Sequence, residues 1–331
     1  MQLTNMHNVG VALAAWLAYD GYDYNDDPYT ISATTLMRPT KQTILAARVP
    51  PQDSSEDIVG RVSSAMGTAI HDSIESVWIT PEKLEKALTA LGWPEKLRKR
   101  VLVNPTPEQL KEADKPIPIY VELRGHRKIG KWTISGKMDI TVDSEVQDFK
   151  STTAFSYMKG NRVDDYRKQG SIYRWIHRDI ITKDTITIHY IIRDYSAAQG
   201  YQDNYPPAAA FSKTYELASM AETERFIQSK VNELEQLWDA PEEAMERCSE
   251  DDLWMSPPTY KYYKDPAKKA RSTKNFDNMA DAQTYKASKG KGAGVIDVVY
   301  GEARACRYCP AFAVCKQKDE YINSGQLKIS L

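Results

Sequence analysis

The chain has 331 residues, 41% of them hydrophobic and 27% charged, with 44 Lys+Arg against 45 Asp+Glu and a net charge of −1. This length suits about two domains, and the composition excludes a wholly disordered chain. The near-neutral balance excludes a generally basic nucleic-acid-binding protein, so any such surface must be local.

Residues 8–19 read as a short apolar helix. The longest apolar stretch is Val11 to Tyr19, far short of the ~20 residues of a membrane-spanning helix. No basic segment precedes it as in a secretory signal, so a cytoplasmic, reducing location without structural disulfides or membrane contact is expected. Residues 20–29 form a turn-rich acidic loop. From Ser55, apolar residues recur as Ile58, Val62, Ala65/Met66, Ala69/Ile70, Ser73/Ile74 and Val77/Trp78. That spacing predicts a helix over 55–79. Thr80-Pro81 reads as the start of another helix and Gly92 as its stop.

Near residue 117 the period changes to two. Trp132, Ile134, Met138, Ile140 and Val142 share one parity, while Thr133, Ser135, Lys137, Asp139, Thr141 and Asp143 share the other. This predicts a strand with one buried face, a turn at Asp143-Ser144 and a second strand over 146–150. A helix over 163–181, a strand over 184–193 and helix over 219–247, broken near Pro241, follow. The Lys-rich segment 261–291 looks loop-like. The chain is thus expected to hold an N-terminal helical segment (1–60), an α/β core (61–240) and a C-terminal region (241–331).

Asp148 and Lys150 share one face of their strand, because side chains alternate. They form the sole acidic-x-Lys triplet in the chain. A hairpin would set Asp139 beside Asp148. Two carboxylates and a lysine suit metal-assisted phosphodiester cleavage: the carboxylates hold Mg²⁺ or Mn²⁺ and the lysine stabilises charge or orients water. The bland alternative is a surface ion pair. On the preceding helix, Gly67, His71 and Glu75 stand four apart on one stripe. His71 offers a nitrogen ligand, and Gly67 would permit a close approach of backbone or nucleic acid. Gln169 and Tyr173, also four apart, would reach from the next helix toward the sheet; ordinary helix packing is their alternative. Glu122 occupies an earlier strand.

The ordered set GTAIHDSIE (67–75), YVELRG (120–125), GKMDI (136–140), VQDFKST (146–152) and QGSIY (169–173) resembles the RecB-type branch of the PD-(D/E)XK nuclease superfamily. The resemblance covers about 60–175. It implies a restriction-endonuclease-like α/β fold, with a central mixed sheet flanked by helices. It implies His71, Asp139, Asp148 and the Phe149 carbonyl as ligands of Mg²⁺ or Mn²⁺. Lys150 is then the catalytic lysine, and Gln169 and Tyr173 are substrate-positioning residues. Glu75 and Glu122 fall at looser motif positions and stand as supporting residues. Met138 departs from the small or polar residue that some members carry before the aspartate.

Cys306-x2-Cys309-x5-Cys315, with Cys248 upstream, has metal-ligand spacing, and no histidine lies beyond His189. Four thiolates suit Zn²⁺ or an iron–sulfur cluster equally. The spacing close to the C-terminus resembles the iron–sulfur nucleases, CRISPR-associated exonucleases and AddB-type nucleases, which implies a [4Fe–4S] cluster. Their first cysteine usually precedes the histidine motif. Here residues 36–48 hold no cysteine, so Cys248 takes that place, a layout similar to stand-alone phage exonucleases.

Segment 261–291 carries nine Lys/Arg against three Asp, interleaved with tyrosine and phenylalanine. Such a mixture suits single-stranded nucleic acid, and equally a solvated loop. The sequence therefore points to a metal-dependent DNA exonuclease. The resemblance alone implies a recombinase or annealing protein as partner. The rivals are a non-catalytic DNA-end-binding protein on the same scaffold and a zinc-stapled interaction protein.

Overall fold

The computed structural model describes residues 2–21, 27–50, 55–160, 162–290 and 294–328. Part of the acidic loop (22–26) and Lys291 lie outside the described residues. The chain forms two compact units, Met1–Arg38 with Ser55–Glu233, and Pro39–Ser54 with Leu234–Leu331. Among the described residues no helix is long and apolar enough to cross a membrane.

The first unit opens with β1 (Gln2–Thr4), α1 (Val11–Ala18), β2 (Thr30–Ser32) and α2 (Ala33–Leu36). The next helix, α3 (Thr40–Ala47), belongs to the second unit. The first unit resumes with β3 (Ser55–Asp57), parallel to β1, a 3₁₀ turn (Ile58–Arg61) and α4 (Val62–Ile79). There follow α5 (Pro81–Ala90), α6 (Glu95–Arg98), β4 (Val101–Val103) and α7 (Pro107–Glu112). The long strands β5 (Ile117–Ile129), β6 (Trp132–Val142) and β7 (Glu145–Thr152) lead to α8 (Ala154–Lys159), α9 (Val163–Ile176), β8 (Thr185–Ile192) and β9 (Ala210–Glu216). The division between units falls within α10 (Met220–Leu237).

The result is a mixed α/β sheet in the order β4-β5-β6-β7-β8-β9, with β2 added parallel to β6. The alternation seen in the sequence holds in part. Trp132, Ile134, Met138 and Ile140 are all 2% exposed or less, but Ser135 and Thr141 on the other face are buried as well, at 4% and 0%, so the strand is covered on both faces there. Asp143 and Ser144 both take positive φ, 49° and 62°, as a tight two-residue hairpin turn requires. Gly136 lets α9 lie close. A Cβ there would come within 2.8 Å of Ile176 and 3.0 Å of Tyr173.

Three expectations are corrected. Residues 1–60 are not a separate helical segment, because β2 joins the main sheet while α3 sits with the C-terminal unit. The helix expected from Ser55 begins at Val62. Asp57 accepts hydrogen bonds from Thr4 Oγ1 (3.0 Å), Met6 N (2.8 Å) and Val59 N (3.1 Å), which fixes an extended pair and a 3₁₀ turn instead. The Lys-rich segment is not a loop. In the second unit, β10 (Thr259–Tyr263) pairs antiparallel with both β11 (Lys274–Phe276) and β12 (Val295–Val299), and α11 (Met279–Ala287) packs on them. That unit ends with α12 (Lys316–Asn323).

Candidate active site

The site lies where the sheet forks. One edge of β6 pairs with β2 over Thr133–Ser135, then with β7 over Ile140–Val142. β7 leaves β6 after Gln147 but stays parallel to β8 through Thr152. One step past the last β6–β7 pair stand Asp139 and Asp148. Asp139 fills the gap with its side chain, its Oδ2 accepting the Phe149 N–H at 3.0 Å.

Helix α4 brings His71 over the fork. Its Nε2 lies 3.0 Å from the Phe149 carbonyl and its Nδ1 lies 3.4 Å from Asp139 Oδ2. From the other side, β5 supplies Glu122. It faces Asp139 between the pairs Val121↔Ile140 and Leu123↔Met138, with φ at +51°. Ligand atoms of His71, Glu122 and Asp139 all lie within 4.8 Å of one another. Lone pairs that converge like this repel unless a proton or a cation sits among them; Lys137 Nζ pairs with Glu122 Oε2 at one side of the group. Burial first, then Asp148, push the Asp139 carboxyl up to about 7, against the pull of His71 and Lys150. Glu75 is likewise raised, by burial and by Glu122.

Asp148 is 2% exposed and pairs with Lys150 at 2.5 Å. Burial works against the Lys150 charge, but Asp148 and Asp139 outweigh it and hold the amine protonated beyond the ordinary range. Lys150 Nζ also meets Gln169 Oε1 at 3.5 Å, and Gln169 Nε2 donates to the Tyr173 hydroxyl at 2.8 Å. The sequence-expected residues of this set therefore gather at one place in the first unit. One assignment differs: the ligand-distance group contains Glu122, whereas Asp148 is turned to Lys150. Glu122 was legible only as a loosely placed carboxylate, because its backbone kink leaves no mark in the composition of β5. Sequence reasoning also passed over Tyr166, whose ring centroid lies 5.5 Å from Lys150 Nζ, and Arg124 and Lys137. The latter two line, with His71, Glu122 and Asp139, a cleft of about 690 Å³.

The cysteines lie in the second unit, all as free thiols. Burial, helped by neighbouring charge that includes Cys315 and Cys309, pushes Cys248 up to about 12; burial and the same two cysteines push Cys306 up to about 11. Three of them have polar neighbours, while Cys306 lies in an apolar cluster with Leu253, Ala303 and Leu327. Gln317 accepts from the Cys248 N–H (3.0 Å) and donates to its carbonyl (3.1 Å). Gln42 donates to Cys309 Sγ at 3.5 Å, and Cys315 Sγ lies 3.7 Å from Glu242 Oε1. Glu242 also pairs with buried Lys41 at 2.8 Å and accepts the Lys316 and Gln317 N–H groups that open α12. The donor set fits a thiophilic metal centre. Among the described residues, no three of these sulfurs meet within 4.8 Å. Zinc with 2.3 Å bonds would draw four thiolates to about 3.8 Å of one another.

No protein-family model matches the sequence, and no curated protein matches it significantly. Among solved structures, the chain is similar to the protein designated SSO0001, with 15% identity and a TM-score of 0.38, over 66% of this chain and 81% of that one. It is also similar to a phage-related exonuclease from Haemophilus somnus 129PT, with 13% identity and a TM-score of 0.23, over 34% of this chain and 57% of that one. Both superpositions are weak, and the chemistry has to be read from this chain's own residues.

Proposed function

We propose that the chain is a Mg²⁺- or Mn²⁺-dependent deoxyribonuclease of PD-(D/E)XK type that hydrolyses DNA from an end, in recombination, repair or phage DNA processing. The observation that carries this reading is the convergence of His71, Glu122 and Asp139 beside a lysine held in its charged form. Hard divalent cations favour such oxygen-rich sets. His71, Glu122, Asp139 and the Phe149 carbonyl would hold the ion, with Asp148 one residue away. Bound there, it supplies positive charge at the phosphate and eases deprotonation of the attacking water. Lys150 presents its protonated amine to the charge building on the phosphate. Asp148 holds that amine in place, and Gln169, braced by Tyr173, fixes its other side. Glu75, raised by burial and by Glu122, flanks the group.

In the second unit, Cys248, Cys306, Cys309 and Cys315 would hold a [4Fe–4S] cluster. The resemblance supports this over the zinc alternative, and the cluster would tie the C-terminal segment together. The β10–β12 module is a further DNA contact in this reading. Its lysines pair with rings, Lys274 lying 4.9 Å and Lys289 4.5 Å from the Tyr285 centroid. DNA is the substrate; a recombinase or annealing protein is the partner by resemblance only.

The test is incubation of anaerobically prepared protein with linear and closed circular DNA, single- and double-stranded, in Mg²⁺, Mn²⁺ or EDTA. Metal-dependent loss of linear DNA is expected, and its absence in Lys150→Ala that keeps its fold. Cleavage by Lys150→Ala at the wild-type rate sinks the site assignment. Binding of DNA ends without any cleavage would favour the accessory, end-binding protein.

A further inference from the structure

Helix α1 is apolar at every position, VALAAWLA. A helix apolar all round is ordinarily enclosed. Here only Leu17 is buried, while Val11 is 85%, Leu13 52% and Trp16 41% exposed, and Tyr19 just beyond is 77% exposed. Of these exposed side chains, the two rings, Trp16 and Tyr19, line the cleft that holds His71, Glu122 and Asp139; Val11 and Leu13 do not. The chain on either side of Tyr19 is tied to the turn before α4. Arg61, at the start of α4, donates to the Ala18 carbonyl at 3.1 Å and pairs with Asp20 at 3.2 Å.

We propose that Trp16 and Tyr19 form a base-stacking platform for single-stranded nucleic acid, whose adjoining phosphate lies at the His71–Glu122–Asp139 group; the inference rests on the nuclease reading of that group. Bases of an unpaired strand offer free faces to aromatic rings, and stacking is tolerant of sequence. In a duplex those faces are covered. Arg61, Arg124 and Lys137 line the same cleft with Asp20, Asp72, Glu122 and Asp139. Arg61 pairs with Asp20 and Lys137 with Glu122, so these cations offset the carboxylates that a strand's phosphates would meet. The platform thus selects an unpaired end and delivers it to the carboxylates.

The experiment measures binding of a short oligothymidylate and of an abasic oligomer of equal length, in the Lys150→Ala background so that nothing is cleaved. Trp16→Ala combined with Tyr19→Ala should weaken oligothymidylate binding at least about fivefold per ring. Abasic binding and the salt slope should stay unchanged, since rings do not neutralise phosphates. Trp16→Phe should keep most of the affinity. Tyr19→Ala alone serves if the double variant does not fold. Equal loss on both oligomers, or no loss on either, overturns the proposal. A changed mass in solution without base-dependent loss also overturns it and assigns the surface to a second copy of the chain. Hydrolysis of bis(p-nitrophenyl) phosphate by the wild-type chain in Mn²⁺ reads the nuclease function separately; its failure leaves the ring–base coupling standing.

Discussion

Glu122 holds a φ of +51° in mid-strand, a conformation that costs a residue with a Cβ about 1–2 kcal/mol. Its carboxylate lies within ligand distance of Asp139, raises Glu75 and has Lys137 as its counter-ion. Strain and like charge at one position are what a metal-binding role would demand and stability would not. Glu122→Gly should therefore raise the thermal midpoint of the metal-free protein while weakening Mn²⁺ binding at least about tenfold, a ligand-loss effect. Calorimetric titration and thermal melts check this, and an unstable variant with unchanged metal affinity would reverse the argument. Asp139 gives the matching pH dependence. Its folded-state value near 7 stands above the ordinary 3.8. Its contribution to stability is thus full at acid pH and is lost as pH rises through about 7. A metal competes with the same proton. Apparent Mn²⁺ affinity should climb about tenfold per pH unit up to roughly 7 and then level. Asp139→Asn should flatten the slope, and a flat wild-type profile would remove Asp139 from the ligand set.

At the level of elements, α4 shows what a periodic pattern can and cannot disclose. Its apolar spacing is helical, yet none of its residues is buried, and Val62 and Met66 remain 37% and 38% exposed. Trp78 near the helix end packs on the Ile119–Val121–Ile140 cluster, while the first half of the helix lines the cleft. Gly67 is in that wall, and a Cβ there would meet nothing within 4 Å. Gly67→Ala should thus stabilise the helix by about 0.5–1 kcal/mol, or about 2 °C. If the cleft takes a DNA strand as proposed, the added methyl group should also slow cleavage. Unchanged cleavage with the raised midpoint would move the strand away from this turn. The alternation in β6, the turn at Asp143-Ser144 and the grouping of Asp139, Asp148 and Lys150 were legible because period two and short-range turn chemistry are local. The fork was not. It arises because β2, some hundred residues earlier in the chain, takes one stretch of the β6 edge, and strand addition at that distance leaves no local signal. For the same reason the joining of α3 to the cysteine region, through Lys41–Glu242 and Gln42–Cys309, escaped the sequence.

Across the whole molecule, the two units depend on different chemistry. The first has a sheet with side chains such as Ile134, Met138, Val146 and Ile188 wholly buried. The second packs a small cluster around Leu253, Ala303, Cys306 and Leu327, with Cys248 against it. Its buried thiols are pushed upward, so without metal they stay protonated and contribute only as small apolar groups. Cross-linking Cys248 to Cys306, 58 residues on, would stabilise this unit by about 4 kcal/mol on a chain-entropy estimate. That is a large share of the total for a unit of this size. If these thiolates hold iron as proposed, its removal, by chelation under oxidising conditions or by Cys248→Ala, should abolish visible absorption and open residues 241–328 to limited proteolysis. The first unit should retain its protease resistance and its Mn²⁺-dependent hydrolysis of a small phosphodiester, since His71, Glu122, Asp139 and Lys150 all belong to it. Loss of that hydrolysis together with the chromophore would show that the thiol centre supports the catalytic unit directly. Iron-free protein with an intact second unit would show that hydrophobic packing alone suffices there.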